Sequence, residues 1–305
     1  MSKESLAAVA RPTPVEQFTI LLATAGDADS IGAVRVAVQL ARRLHAVVEV
    51  LTLATPFPHA ASKGIALASP AVIDEESRKS AVEAVRRQLR AVRGAAHWPV
   101  HSRVGWPAGS IIDAARRWNA SLTVLGIGDH SILSRLFGSE TAVSVAKHAL
   151  TPTLAVPPEL QRAPTNAFAA IDFTSASING AMLAAKLLPQ RGTLTLVHSS
   201  VFAKASAEPG TLTDIYSQGA HDRLAHIAKK ITRATHRRVT TMTVDGPVAE
   251  SMLEIVDARR GDLIALGSHE RALVDRLLLG SVRSQILRHA GCCVLVVPQR
   301  PEVAG

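Results

Sequence analysis

The sequence predicts an α/β fold in which one domain, a parallel sheet flanked by helices, occurs twice in succession. Three observations lead there. Short apolar, β-branched runs alternate with helical stretches along the chain, the rhythm of βαβ units. The pattern repeats: KHALTPTLAVP at Lys147–Pro157 and RHAGCCVLVVP at Arg288–Pro298 are displaced by 141 residues. The hydrophobic fraction is 47% while the aromatic fraction is only 3%, so the cores are built of Ala, Val, Leu and Ile. Such cores suit helices packed closely on parallel sheets.

In the first copy, Phe18–Ala23 is an apolar run that reads as a strand. Ile31–Leu44 follows with Val34, Val38, Ala41 and Leu44 on one helical face. Val47–Leu53 is a second strand, and Thr55–Pro70, rich in Pro, Ala and Ser, is a loop over the sheet. A long helix with basic residues outward is expected over Ile73–Val92, then a strand at Val100–Val104 and a helix over Gly109–Trp118. Leu122–Gly126, Ser139–His148 and Thr153–Val156 complete the copy as strand, helix and strand.

The segment PPELQRAPT, Pro157–Thr165, reads as a linker. It puts the domains at 16–158 and 167–298, with 159–166 between them, a disordered lead-in over 1–15 and a tail over 299–305. In the second copy Phe168–Ile171, Thr193–His198, Val239–Val244, Asp262–Leu266 and Val294–Val297 are strands. Ile178–Leu188, Tyr216–His236 and Val248–Arg259 are helices, and Ser199–Gly210 is a loop. The strand at Asp262–Leu266 is expected to stop at Gly267, and Gly280-Ser281 to open a last helix carrying Val282, Ile286, Leu287 and Ala290 on one face. Both copies end in a β-branched edge strand. Unpaired edges invite pairing, so the copies are expected to meet there as a pseudo-dimer.

The formal charge is +9, divided between the two halves with no basic tail. That distribution argues for solubility and attraction to anions rather than for a nucleic-acid module. Cys292 and Cys293 are adjacent. Strand neighbours point to opposite faces, so a mutual disulfide is not expected and a reducing, cytoplasmic setting is. No stretch approaches the roughly 18 apolar residues of a membrane span, and the N-terminus lacks a signal-peptide core. Among the histidines, His97 and His101 are four apart but flank Pro99 in an extended stretch and so share no helical face, and His221 and His226 are five apart; neither pair is read as a metal site, solvated or capping roles being commoner. There is no nucleophile elbow and no zinc-type cysteine pattern, so no enzyme is expected.

One stretch carries a binding chemistry. A glycine leaving a strand at Gly267 and a Gly-Ser entering a helix at Gly280-Ser281 leave backbone N–H groups free. Glycine lets a phosphate approach, and a helix N-terminus adds partial positive charge. Gly267, Glu270 and Gly280-Ser281 fit G-x2-G-x9-G-[S/T] with Glu270 in the second-glycine place. That pattern, with RLLLGSV and CCVLVVP around it, resembles the nucleotide loop of the universal stress protein family. The resemblance covers Phe18 to Pro298. It implies two flavodoxin-like, Rossmann-like doubly wound domains of the adenine nucleotide alpha hydrolase type and an ATP site in the second. There Asp172, after the first strand of IDFTSAS, would contact the adenine or ribose end, and the backbone of Val197 the adenine. Gly267, Glu270, Gly280, Ser281 and Val282 would hold the phosphates, with Glu270 a candidate for positioning Mg²⁺.

Each of these residues has a structural alternative: a turn or N-cap for Asp172, turn chemistry for the glycines, capping for Ser281 and a solvated loop for Glu270. A carboxylate at position 270 also crowds and repels phosphate. The first copy departs further. Its loop, Gly126 through Gly138-Ser139, is one residue shorter, Asp129 takes the second-glycine place, and no acid directly follows the first strand, Asp27 and Asp29 lying later. It is read as degenerate. The expected function is nucleotide-dependent signalling to an unidentified protein partner. The alternatives are a nucleotide-free interaction scaffold and an ATP pyrophosphatase, whose SGG-x-DS loop Gly26, Asp29 and Ser30 partly match. Whole-chain homodimerisation is left open.

Overall fold

The computed structural model describes residues 17–54, 70–128, 139–200, 212–268 and 282–299. The first copy runs β1 (Thr19–Ala23), α1 (Ile31–Leu44), β2 (Val47–Ala54), α2 (Pro70–Ala91), β3 (Val100–Val104), α3 (Pro107–Arg117), β4 (Leu122–Gly126), α4 (Ser139–His148) and β5 (Thr153–Val156). The second runs β6 (Asn166–Ala170), α5 (Ser175–Leu187), β7 (Thr193–Ser200), α6 (Leu212–Thr235), β8 (Arg238–Asp245), α7 (Val248–Ala258), β9 (Leu263–Ser268), α8 (Val282–His289) and β10 (Cys293–Pro298).

The ten strands of the described residues form one sheet in the order β3-β2-β1-β4-β5-β10-β9-β6-β7-β8. Pairing is parallel within each half and antiparallel only at the seam, where Val294, Leu295 and Val296 oppose Ala155, Leu154 and Thr153. The two terminal strands thus cover each other's edges, the pairing expected of two β-branched runs. The arrangement repeats the order 3-2-1-4-5 on either side of the seam.

Two layers of helices bury the sheet. On one face α1, α2, α5 and α6 contribute residues such as Val34, Leu89, Ala184 and Leu224 to a common core. On the other, α3, α4, α7 and α8 contribute Ile111, Val145, Met252 and Ile286. The single apolar stripe expected on α1 understates its burial, because α5 packs beside it: Ala33, Val36, Ala37 and Leu40 are buried as well as Val34 and Val38. Cys292 and Cys293 fall on opposite faces, as strand alternation requires.

Several boundaries shift for local reasons. α3 begins at Pro107, whose fixed φ and absent N–H suit the first helical position, and α2 begins at Pro70 likewise. α5 starts at Ser175 because Thr174 caps it, its side chain accepting from the Ser177 N–H. β9 does not stop at Gly267 but continues to Ser268, paired with the end of β10. The linker is strapped to α1. Gln39 donates to the Gln161 carbonyl at 3.1 Å and accepts from the Ala163 N–H at 3.1 Å, and Arg43 donates to the Pro164 carbonyl at 3.3 Å. No helix among the described residues is long and apolar enough to cross a membrane.

Leu295 is fully buried on the seam opposite Leu154. Leu295→Ala should destabilise the chain by about 2–5 kcal/mol, whereas truncation of Leu150, 63% exposed, should change little. Urea denaturation of both variants measures this, and equal losses would place the seam outside the stabilised core.

Burial pushes the Cys292 thiol up to about 12 from 9.0, and it pushes Cys293 up as well. An unfolded thiol ionises near pH 9 while the folded Cys292 thiol stays protonated to about pH 12, so its protonated form contributes stability that is complete below pH 9 and lost by about pH 12. The urea midpoint should therefore fall across that window, and fall less steeply in Cys292→Ala. Identical slopes in the two proteins would exclude this contribution.

Candidate functional site

Within each half the first and fourth strands lie side by side while their connections leave in opposite directions. Ligands of open α/β sheets bind outside the carboxyl ends of such a strand pair. In the second half the pair is β6 and β9. Asp172 and Phe173 follow β6, Gly267 and Ser268 end β9, and Val197 lies on the next strand, β7.

Asp172 is exposed, and its Oδ1 accepts from the Thr174 N–H at 3.0 Å and the Thr174 hydroxyl at 2.6 Å. It therefore performs the turn role that its sequence position allowed, with its carboxylate at the protein surface. Val197 is 2% exposed, and its carbonyl accepts from the Ile171 N–H at 2.8 Å. Gly267 has a packing reason for being glycine. A Cβ there would lie 2.3 Å from the Ser177 nitrogen and 2.6 Å from the Ala176 carbonyl carbon, because the first turn of α5 presses on β9. Val282, 37% exposed, begins α8. Glu270, Gly280 and Ser281 lie outside the described residues, as do Asp129 and Gly138 of the first copy.

Four residues at this end of the sheet escaped the sequence reading. Phe173 adopts φ 66°, its ring 4.6 Å from that of His198 and 4.0 Å from the Arg223 guanidinium carbon. His198 Nδ1 lies 2.8 Å from the Ile171 carbonyl. Arg283, from the first turn of α8, donates to the Ser268 hydroxyl at the end of β9. A basic residue two positions after a Gly-Ser was the available signal for Arg283. The Phe173 cluster has none, since α6 reaches it through tertiary packing.

The first copy aligns with this turn through its hydrogen bonds. Thr24 N–H donates to Leu51 at 3.0 Å as Ile171 N–H does to Val197, and Ser30 N–H is capped by Asp27 Oδ1 at 3.0 Å as Ser177 N–H is by Thr174. Gly26, φ 78°, stands where Phe173 does, and Ala25 where Asp172 does. The cap comes from Asp27, while Ser30 at the N-cap position makes no side-chain cap bond. A Cβ on Gly26 would lie 2.6 Å from the backbone of Ala84 and Val85, so α2 sits directly on the turn. Gln88 of α2 closes it from inside: its Oε1 accepts from Thr24 at 2.7 Å, and its Nε2 donates to Ser30 Oγ at 3.0 Å.

His101 Nε2 lies 2.7 Å from Glu49 Oε2, and its ring lies 4.6 Å from that of Trp118, a cross-strand pair rather than half of a metal site with His97. A cavity of about 500 Å³ lies at the other end of the second half, among Glu254, Asp257, Arg260, His289 and Cys292. Its walls mix both charge signs around the amino ends of β9 and β10. The crevice at β6 and β9 remains the better candidate, because there a carboxylate, a guanidinium and a helix start stand at the carboxyl ends of adjacent strands.

The repeated 3-2-1-4-5 sheet with helices on both faces defines a tandem doubly wound α/β protein of the flavodoxin-like class. The sequence model of the universal stress protein family matches residues 18–157 and 166–298, and the chain belongs to that family. A universal stress protein of Methanocaldococcus jannaschii is 32% identical over 69 residues, which is 23% of this chain and 41% of the relative, so the match spans less than half of that protein. Two solved structures share the fold along nearly the whole chain. A universal stress protein of Archaeoglobus fulgidus has TM-score 0.62 at 17% identity, covering 92% of this chain and 96% of its own. A functionally unknown Pseudomonas aeruginosa protein has TM-score 0.57 at 15% identity, covering 93% of both chains.

If packing against α5 sets the residue at 267, Gly267→Ala should cost roughly 1–3 kcal/mol, read as a lower thermal midpoint without any ligand. An unchanged midpoint would show that the close approach of α5 does not dictate the glycine.

Proposed function

We propose that the second copy binds an adenine nucleotide, ATP, at Asp172, Val197, Gly267, Glu270, Gly280, Ser281 and Val282, with Arg283 as a further phosphate contact. The observation that carries this reading is the pair of opposite charges at the ends of neighbouring strands: the exposed Asp172 carboxylate beyond β6 and the Arg283 guanidinium beyond β9. A carboxylate suits ribose hydroxyls or a base amine, and a guanidinium suits phosphate oxygens. Mg²⁺ would accompany the phosphates, with Glu270 the carboxylate available to it. Binding would alter a surface read by a protein partner during stress, without turnover and in the cytoplasm. The domains are taken as 16–158 and 167–298, the first without nucleotide.

A scaffold that binds no nucleotide is the second reading. Glu270 in place of the second glycine favours it, as does the engagement of Arg283 with Ser268.

Calorimetric titration with ATP and with adenosine separates them. One ATP per chain is expected. Asp172→Asn keeps the oxygen that accepts from Thr174 but loses the charge, and should weaken both ligands about tenfold. Arg283→Ala should weaken ATP more than adenosine, and Glu270→Gly should strengthen ATP more than adenosine. Absence of binding by the parent protein leaves the scaffold, and release of pyrophosphate with AMP would establish the enzyme reading instead.

A further inference from the structure

The basic excess that the sequence divides between two halves is gathered by the fold. The C-terminal ends of α2, α1, α5 and α6 form a row on one face, stitched together by three arginines. Arg42 of α1 donates to the Arg93 carbonyl just beyond α2 at 3.4 Å. Arg43 donates to the Leu187 carbonyl at the end of α5, and Arg237, beyond α6, donates to the Leu188 carbonyl at 3.1 Å. Burial, and then the charge of Arg237, push the Arg43 guanidinium below its ordinary value, a sign of how closely cations from the two copies approach.

These helix ends occupy residues 42–48, 84–97, 184–192 and 227–238, which contain thirteen Lys and Arg and no Asp or Glu. The chain as a whole is +9, so everything outside the four stretches is net −4. Helix C-termini attract cations through their free carbonyls, and that accounts for the three stitching arginines. It does not account for the others. Arg93, Lys186, Arg191, Arg233 and Arg238 are exposed, and none has a carboxylate within ion-pair distance among the described residues. Glu83, just before the second stretch, is already shared between Arg87 and Arg90 at 4.0 and 3.8 Å. A cavity of about 270 Å³ beside Arg86, Arg90 and His97 indents the same surface.

We propose that this row of helix ends is a binding surface for the phosphate backbone of double-stranded nucleic acid, engaged without regard to sequence. Charge complementarity carries the assignment. Arginine, with its planar fork, outnumbers lysine in the four stretches and matches phosphate oxygens bidentately. Among the described residues the four stretches hold no exposed Trp, Tyr or Phe on which single-stranded bases would stack: Trp106, 88% exposed, lies outside them, and Trp98 is 9% exposed. An anionic membrane is the poorer fit, because interfacial binding adds inserted apolar side chains to the charge. Among the described residues of these stretches only Val47, at 36%, is a large exposed hydrophobe. The surface lies at the amino ends of the strands, away from the crevice beyond β6 and β9, and does not depend on nucleotide binding there.

The test is fluorescence anisotropy of a labelled DNA duplex of about two helical turns, titrated with the full chain at several salt concentrations between about 50 and 200 mM. The parent should bind, with affinity falling steeply as salt rises. Combined Arg93→Glu, Arg191→Glu, Arg233→Glu and Arg238→Glu should weaken binding at least about tenfold and reduce the log–log salt slope by about 0.9 for each phosphate that is no longer neutralised. Arg116→Glu with Arg117→Glu, exposed on α3 across the sheet, should do much less. If the fourfold variant misfolds, Arg93→Gln with Arg191→Gln supplies the same comparison at smaller amplitude. Failure of the parent to bind duplex, equal weakening in the α3 control, or binding to phosphatidylserine vesicles in place of duplex would each overturn the proposal.

Discussion

The antiparallel pairing of β5 with β10 is the constraint from which the rest of the molecule follows. Each half alone would expose the edge of a buried strand, and a partner strand satisfies its backbone groups while keeping both faces dry. Because the partner is the equivalent strand of the other copy, the halves are related by an approximate two-fold axis through the sheet. Such an axis puts equivalent helices on the same face: α1 beside α5 on one, α4 beside α8 on the other, where Arg288 and Glu140 pair at 2.9 Å. The linker has little freedom in this arrangement. Gly32 meets it so closely that a Cβ would lie 2.2 Å from the Pro157 carbonyl oxygen.

The same axis sets the electrostatics. Four helices on one face bring their C-termini together, and each terminus carries unsatisfied carbonyls. Arginine is the side chain that can bridge two such ends while keeping its stem against apolar surface. Arg43 does so across the seam, accepted by Pro164 and Leu187, and Arg237 spans Leu188 and Thr235 within the second half. Asp262 supplies the local counter-charge, accepting from the backbone of Thr165 and Asn166 at 2.8–2.9 Å where the linker enters β6. A charge that looks dilute along the chain is therefore concentrated by topology, which no count over halves could reveal.

The fold was legible because its signals are local and repeated. Apolar β-branched runs, prolines at helix starts and the twin endings at Pro157 and Pro298 are readable without tertiary information. The seam followed from the two edge strands. The candidate site was less legible, since its residues carry two roles in one position. Asp172 caps a turn and remains exposed; Gly267 makes room for α5 and ends beside Ser268. A residue type fixes neither role by itself. Phe173, His198 and Arg223 come together from three elements far apart in sequence, and Gln88 reaches the first turn from 58 residues away. Contacts of that range leave no periodic or spacing signal.

The difference between the two turns is a difference in where polar groups are satisfied. In the first copy Thr24, Ser30 and Gln88 are buried and bonded to one another, with Asp27 completing the set. α2 lies directly on Gly26, and breaking bonds between these buried groups would leave orphans that cost about 1–3 kcal/mol each. The network is not complete even so: Thr52 Oγ1 and one carboxylate oxygen each of Asp27 and Asp29 are buried without a protein partner. The turn thus carries a polar cost that favours water over an additional anion, since two of the three orphan atoms belong to acidic side chains. In the second copy Ile171 stands where Thr24 does and demands no partner, Ser177 and Thr174 keep the bonded pair of Ser30 and Asp27, and Phe173 replaces Gly26, while the carboxylate of Asp172 lies exposed on the turn it caps. A shared backbone scaffold therefore carries a buried polar network at the turn of one copy and an exposed carboxylate at the turn of the other, and this difference follows from side-chain chemistry at three aligned positions, 24 and 171, 25 and 172, 26 and 173.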